Sequence, residues 1–281
     1  MKIGTTDIVD CKIGTTQVNK VYLGNNLVWE KLAPEVYSLY YDTNGLVINT
    51  TNSFGIVDAL GNVSSFVSTS PASNNDELTQ GVLASQPNLI VDHFGVGKNA
   101  ILFDNVVNST YLIKTDTTFT PDWDDEFWIA GKFKSSGGAS RVMTTIGEGA
   151  IGNKMFRTQF DPTNKFQFAI GTQNNSVKVI KTTVSYNDNL EHDYILHWKG
   201  TDNIADAKIY IDGVLSTVTT TSTGSFVGSS IYSGLLGINL YFGARQDVAI
   251  SVGWNQYLGK HIYGLGEPNV EAIFNSLNSA I

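Results

Sequence analysis

Hydrophobic and polar residues alternate with a period of two through most of the chain. In Phe127-Trp128-Ile129-Ala130-Gly131-Lys132-Phe133-Lys134, the residues Phe127, Ile129 and Phe133 fall on one face and Lys132 and Lys134 on the other. Phe166, Phe168 and Ile170 share a face, Tyr194, Leu196 and Trp198 alternate with Ile195, His197 and Lys199, and Ile209 and Ile211 alternate with Lys208, Tyr210 and Asp212. Successive strand side chains point to opposite sides, so each run predicts a strand with one face in a core. Asp212-Gly213 before Val214-Leu215 suits a two-residue hairpin turn, which needs positive φ at both positions. Many short strands joined by polar turns predict an all-β antiparallel sandwich. The period changes only at the end, where Val270, Ile273, Phe274 and Leu277 form one apolar stripe. That spacing predicts one C-terminal helix, with Pro268 in its first turn, lying on the sheet and covering part of it.

The first 31 residues carry a different signal, a repeat with a period of ten. Lys2-Ile3-Gly4-Thr5-Thr6-Asp7-Ile8 is followed by Lys12-Ile13-Gly14-Thr15-Thr16-Gln17-Val18 and Tyr22-Leu23-Gly24-Asn25-Asn26-Leu27-Val28, ending in Trp29. Glycine supplies the backbone freedom of a tight turn and Thr or Asn bonds locally to it, so each unit reads as strand, turn, strand. Such units bury little, and three of them form a β module that is marginal alone and needs a partner surface. Leu32-Ala33-Pro34-Glu35 is a stiff break. It divides the chain into a repeat module, residues 1–33, and a sandwich, residues 34–281.

Composition narrows the function classes. Charged residues make up 16% of the chain and the formal net charge is −8, which excludes the clustered Lys and Arg of a nucleic-acid or polybasic membrane surface. No apolar run approaches a membrane span, and Met1-Lys2-Ile3-Gly4 lacks the apolar stretch of a secretory signal. Cys11 is alone, so no internal disulfide forms. The expectation is synthesis and folding in a cytoplasm.

Two resemblances follow from these motifs. The repeat, closing on Val21-Tyr22-Leu23-Gly24-Asn25-Asn26-Leu27-Val28-Trp29-Glu30, resembles the N-terminal element of tailed-bacteriophage structural proteins, where it precedes a fibre, decoration or lectin-like domain. Val36-Tyr37-Ser38-Leu39-Tyr40-Tyr41-Asp42, Asn99-Ala100-Ile101-Leu102-Phe103-Asp104-Asn105, Asp125 to Phe133, Lys208-Ile209-Tyr210-Ile211-Asp212-Gly213, Leu240 to Ala244 and Leu258 to Gly264 resemble, in order, the strands of a concanavalin A-like, laminin-G-like jelly roll. Asn105 departs from that family's usual Gly. The resemblance implies a two-sheet jelly-roll sandwich and a lectin-like function.

Some members of that superfamily are β-glucanases with alternating Glu and Asp on one strand, the spacing that double displacement needs. No such run occurs here. The nearest acidic cluster, Asp122-Trp123-Asp124-Asp125-Glu126, places consecutive charges before a strand, on opposite faces. It reads as a solvated turn or, with Asp122, Asp124 and Asp125 as ligands, as a Ca²⁺ site. Asp104, Asp206 and Asp212 sit at strand ends as turn formers, at positions that bind Ca²⁺ in some relatives. His93, His192, His197 and His261 show no metal-ligand spacing, and His192 reads as structural. Gly147-Glu148-Gly149-Ala150-Ile151-Gly152 lacks the Lys of a phosphate loop. No other cofactor is indicated.

A sugar site needs aromatic faces beside amides or carboxylates. Trp123, Tyr186, Tyr232, Trp254 and Tyr257 are the loop aromatics, and Trp254-Asn255-Gln256-Tyr257 combines both chemistries in four residues. The expected function is a non-enzymatic bacteriophage virion component, a head or tail fibre or decoration protein. Ile3, Gly4, Ile13, Gly14, Leu23, Gly24 and Trp29 would attach it to other virion proteins or a sister subunit. The sandwich would display a site for host-surface or environmental glycans, without nucleic-acid binding or membrane insertion. The alternatives are a polysaccharide depolymerase and a capsid or tail protein with no ligand.

Overall fold

A computed structural model describes residues 37–70, 76–104, 110–136, 141–148, 154–172, 176–231, 238–243 and 255–279, and the strand backbone within residues 2–30. The chain divides into two compact units, Met1–Glu35 and Val36–Ile281.

The first unit is three antiparallel hairpins, one per sequence repeat. Lys2–Ile3 pairs with Thr6–Asp7, Cys11–Ile13 with Thr16–Val18, and Lys20–Leu23 with Asn26–Glu30. The innermost partners are Ile3↔Thr6, Ile13↔Thr16 and Leu23↔Asn26, the same two repeat positions each time. Ile3, Ile13, Leu23 and Trp29 thus lie on hairpin strands, while Gly4, Gly14 and Gly24 fall outside the described residues.

The second unit is a sandwich of two antiparallel sheets with one C-terminal helix. Among the described residues one sheet has eleven strands, in spatial order Val218–Thr223, Val177–Ser185, Lys165–Gly171, Lys154–Phe160, Arg141–Glu148, Asn239–Phe242, Leu112–Lys114, Glu77–Thr79, Val63–Val67, Gly55–Val57 and Thr50–Asn52. The other has eight: Asn88–Ile90, Ala100–Asp104, Asn255–Leu265, Glu126–Ser136, Asp188–Lys199, Lys208–Ile211 and Val214–Leu215 in order, with Leu39–Tyr41 also paired to Asn255–Leu265. The opening strand is therefore three residues, shorter than the run Val36 to Asp42 suggested.

The alternation seen in the sequence sets the layers. Phe127, Ile129 and Phe133 point between the sheets and meet Phe156, Phe160, Phe166 and Phe168 from the larger one. Tyr194, Leu196 and Trp198 do the same from the neighbouring strand. Asp212 and Gly213 take φ of 52° and 77°, the left-handed pair a two-residue hairpin turn requires, and Ile211 opposes Val214 across it.

The opposite face of the eight-stranded sheet carries a second, smaller core. Trp128, Ala130, Ile195 and Ile262 are buried there beneath Ile273 and Leu277 of the helix Val270–Asn278. The apolar stripe read from the sequence is thus the packed face. The helix starts later than Pro268 implied: Asn269 is the N-cap, its side chain accepting from the Ala272 N–H at 3.1 Å. An Asn cap satisfies an otherwise unpaired donor, which a proline ring cannot do, so Pro268 lies just outside.

Candidate functional site

One end of the sandwich is built around the segment Asp116 to Asp125. Thr117 donates its N–H to the Ile238 carbonyl at 2.8 Å. Asp76, only 2% exposed, accepts through Oδ2 from Thr117 Oγ1 (2.8 Å), the Thr118 N–H (2.9 Å) and Thr118 Oγ1 (3.1 Å). Three donors on one carboxylate oxygen fix this part of the loop. Phe119 then turns into the core against Tyr263 and Phe127.

The acidic residues that follow form a turn. The Asp125 N–H donates to the Asp122 carbonyl at 3.1 Å, and the Asp122 N–H returns to Asp125 Oδ2 at 2.8 Å. Asp122 Oδ1 also accepts from the Trp123 and Ile231 N–H groups (2.7 and 3.0 Å), and its Oδ2 accepts from Ser230 Oγ. Gly200, at φ +70°, passes so close that a Cβ there would lie 2.5 Å from the Asp124 carbonyl oxygen. Protein donors hold Asp122 and Asp125, Asp124 is exposed, and no group of three His, Cys, Asp or Glu among the described residues is placed to hold a metal.

Trp123 is half-buried and tied down at both ends. Its Nε1 donates to the Ser229 carbonyl (2.7 Å), its own carbonyl accepts from Trp198 Nε1 (2.6 Å), and its ring meets Phe226. It is a structural anchor of the loop. Tyr257 lies elsewhere, opposite Lys134, with its ring stacked on His93 at 3.8 Å. Phe127 and Lys134, at the two ends of this strand, are separated by about 23 Å at 3.3 Å per residue, so Trp123 and Tyr257 do not share a site. Tyr186 packs edge-on against His192. Tyr232, Trp254 and the Asn255 side chain lie outside the described residues.

What the fold does assemble is a cleft lined by Ser38, Thr118, Phe119, Thr120, Pro121, Asp125 and Leu265. Three segments contribute: the start of the Leu39–Tyr41 strand, the loop, and the end of the Asn255–Leu265 strand. Hydroxyls and one carboxylate supply its polar lining. Phe119 and Pro121 are buried, while Leu265 is 59% exposed. Of these residues only Asp125 belongs to a segment singled out in the sequence for its chemistry, and Ser38 and Leu265 reach the cleft only through pairing.

The histidines hold strands and turns. His192 sits between Asp212 (Nδ1 to Oδ2, 2.8 Å) and Asp188 (Nε2 to Oδ1, 3.2 Å). Burial works against its charged form, but the two carboxylates outweigh it and its pKa is raised. His197 reaches Glu126 at 2.9 Å, yet burial, aided by Lys208, keeps its pKa low. His261 is enclosed in the core and burial pushes it down to about 4. Asp206 accepts from Thr201 Oγ1 at 2.8 Å and Asp212 Oδ1 from the Asp193 N–H at 2.9 Å, so both act as turn residues.

No protein-family model and no curated protein matches the chain. Its fold is similar to solved binding domains of botulinum neurotoxins. The receptor binding domain of botulinum neurotoxin D superposes with a TM-score of 0.53 at 12% identity, over 86% of this chain and 52% of that one. The serotype D/C VPI 5993 binding domain gives 0.51 at 13% identity, over 86% and 52%. The serotype G binding domain gives 0.50 at 12% identity, over 86% and 50%. The chain spans about half the length of these structures. At such identity the likeness establishes a shared β-sandwich fold. No helix among the described residues is long and apolar enough to cross a membrane.

Proposed function

We propose that this chain is a non-enzymatic adhesion component of a bacteriophage virion, its N-terminal repeat attaching it to the particle and its sandwich binding surface glycans. The observation that carries the binding half is the cleft that brings Ser38, Thr118, Thr120 and Asp125 together with Phe119, Pro121 and Leu265. Hydroxyl and carboxylate groups beside apolar side chains suit a sugar, which offers hydroxyls at its edge and C–H groups on its face. Asp76 holds the loop in place before any ligand arrives, which lowers the ordering cost of binding. A recognition role is also in keeping with the receptor-binding function named for the neurotoxin domain of the same fold.

Such an open site binds weakly, with a Kd of roughly 1 mM corresponding to about −4 kcal/mol. Many copies on one particle raise avidity by about 10²–10⁴. The repeat supports attachment because three hairpins bury too little to stand alone.

Glycan-array binding of the multimerised chain tests the first half. Wild type binds a defined set, and Leu265→Ala, at a position 59% exposed and outside the loop's side-chain hydrogen bonds, loses it without losing stability. Binding by no glycan, or release of reducing ends from a polysaccharide, sinks the adhesion reading. For the second half, deletion of residues 1–35 abolishes incorporation into particles. Normal incorporation refutes the attachment role.

A further inference from the structure

Among the described residues, Lys132, Lys178 and Lys260 are buried lysines at 2–3% exposure, and each is held by a carboxylate. Their other contacts differ. Lys178 Nζ ends on Asp202 through both its carboxylate and its backbone carbonyl. Lys260 Nζ reaches Asp42, the Ser276 carbonyl, and the carbonyl and hydroxyl of Ser279. Lys132 alone of the three touches a side-chain amide, donating to Asn278 Oδ1 at 3.1 Å.

The two groups come from different elements. Lys132 projects from the strand Glu126–Ser136 on the helix-covered face, and Asn278 is the last residue of the helix. Asp193, on the adjacent strand, bridges them. Its Oδ1 lies 2.9 Å from Lys132 Nζ, an ion contact, and its Oδ2 accepts from Asn278 Nδ2 at 2.6 Å. Asn278 Nδ2 also donates to the Phe274 carbonyl at 3.0 Å, which fixes the amide plane. The side chains of Lys132 and Asp193 are 4% and 6% exposed, and the Phe94 ring lies 5.6 Å from Nζ. Glu191, at the rim, provides a second carboxylate for the ammonium.

A buried amine, a buried carboxyl and a half-buried carboxamide that the carboxyl and the amine both touch are the groups needed to exchange one amide for another. We propose that Lys132 and Asn278 form an intramolecular isopeptide bond, Lys132 Nζ to Asn278 Cγ, with Asp193 carrying the proton. The Lys132 ammonium gives a proton to Asp193, and the freed amine adds to Cγ. The C–N bond to the Asn278 amide nitrogen then breaks as Asp193 protonates that nitrogen. Ammonia leaves with the remaining proton as ammonium, and Asp193 returns to the carboxylate. No oxidant, cofactor or metal is required.

Asp193 suits this part. Burial raises its pKa against the opposing pull of Lys132, so its acid form is more accessible than that of a free carboxyl. Holding the reacting groups in contact supplies the effective concentration that the uncatalysed exchange lacks. The bond would close the chain between positions 132 and 278 and rivet the helix to the sheet in a protein whose single cysteine excludes an internal disulfide.

Intact-mass spectrometry of the purified full-length chain tests the bond. The wild-type mass is expected one ammonia below the sequence mass, and a protease digest contains a branched peptide joining Lys132 to Asn278. Lys132→Met, Asp193→Asn and Asn278→Ala each restore the full sequence mass, with circular dichroism reporting the fold. A wild-type chain that keeps the full mass after prolonged incubation overturns the proposal, and that result depends on no variant. Loss of ammonia that persists in Lys132→Met also overturns it, because a succinimide at Asn278 would then account for the change.

Discussion

Gly264 tests the packing of the helix-covered core through the sign of an effect. It lies on the strand Asn255–Leu265 directly opposite Trp128, whose side chain is fully buried. A Cβ on Gly264 would sit 2.2 Å from Trp128 Cζ2, 2.4 Å from Cε2 and 2.7 Å from Nε1. Carbon atoms in contact prefer about 3.5–4.0 Å, so the indole would have to retreat by more than about 1 Å. The helix residues Ile273 and Leu277 belong to the same cluster, and Tyr37 meets the ring edge-on at 5.9 Å. Overpacking of this kind costs about 1–3 kcal/mol.

The usual effect of Gly→Ala at an ordinary extended position is the reverse, a gain of about 0.4–1 kcal/mol from reduced freedom of the unfolded chain. Gly264 is not among the positive-φ residues, so the backbone itself would accept alanine. Gly264→Ala should therefore destabilise the sandwich, lowering its Tm by about 2–4 °C per kcal/mol for a unit of this size. The assay is urea unfolding followed by tryptophan fluorescence and near-ultraviolet circular dichroism. In a Trp128→Leu background, already weakened by the lost ring, the same alanine should cost at least 1 kcal/mol less, roughly twice the scatter seen for independent sites. Neutral or stabilising behaviour in the wild-type background, or strict additivity in the double variant, would refute the packing argument.

Three further outcomes follow from the same residues. The raised pKa of His192 means its contribution is full below the unfolded value near 6.5 and is lost as pH rises through the folded value; His261, lowered to about 4, destabilises as pH falls from about 6.5 toward 4. Urea midpoints of His192→Gln should lose the decline that sets in as pH rises past about 6.5 and keep the acid one, and an unchanged profile on that side would remove the role given to Asp188 and Asp212. Asp76→Ala strips three donors of their acceptor and should cost about 1–3 kcal/mol while weakening glycan binding more than its stability loss explains, read by binding at a temperature where the variant is folded. Asn269→Ala should cost about 1 kcal/mol through the lost cap, visible as faster amide exchange in residues 270–273 and absent from Pro268→Ala.

The architecture was legible because period-two alternation is a local code. Phe127, Ile129 and Phe133 could be placed on one face from the sequence alone, and Asp212-Gly213 could be read as a turn because few residue pairs tolerate two positive φ angles. The ten-residue repeat gave its hairpins for the same reason. Lys132 was also placed on the correct face, opposite Phe133. Alternation says nothing of what covers that face, however, and the cover is the helix about 140 residues later, a distance no local pattern spans. A lysine that reads as solvated is therefore enclosed between Asp193 and Asn278.

The candidate site shows the limit more sharply. Aromatic residues in loops drew attention to Trp123 and Tyr257, but ring size correlates with burial as well as with ligand contact. Trp123 Nε1 is taken up by the Ser229 carbonyl, and Tyr257 stacks on His93 across from Lys134. The cleft instead uses Ser38, Thr118, Thr120 and Leu265, residue types common enough to carry no signal one at a time. Their meeting depends on antiparallel pairing, which brings Ser38 to the Tyr263 carbonyl at 2.8 Å, and on Asp76, which fixes Thr118 from another strand's approach. A site defined by convergence rather than by distinctive side chains becomes visible only once register is known, and the residue that tests its rigidity, Asp76, does not line the cleft.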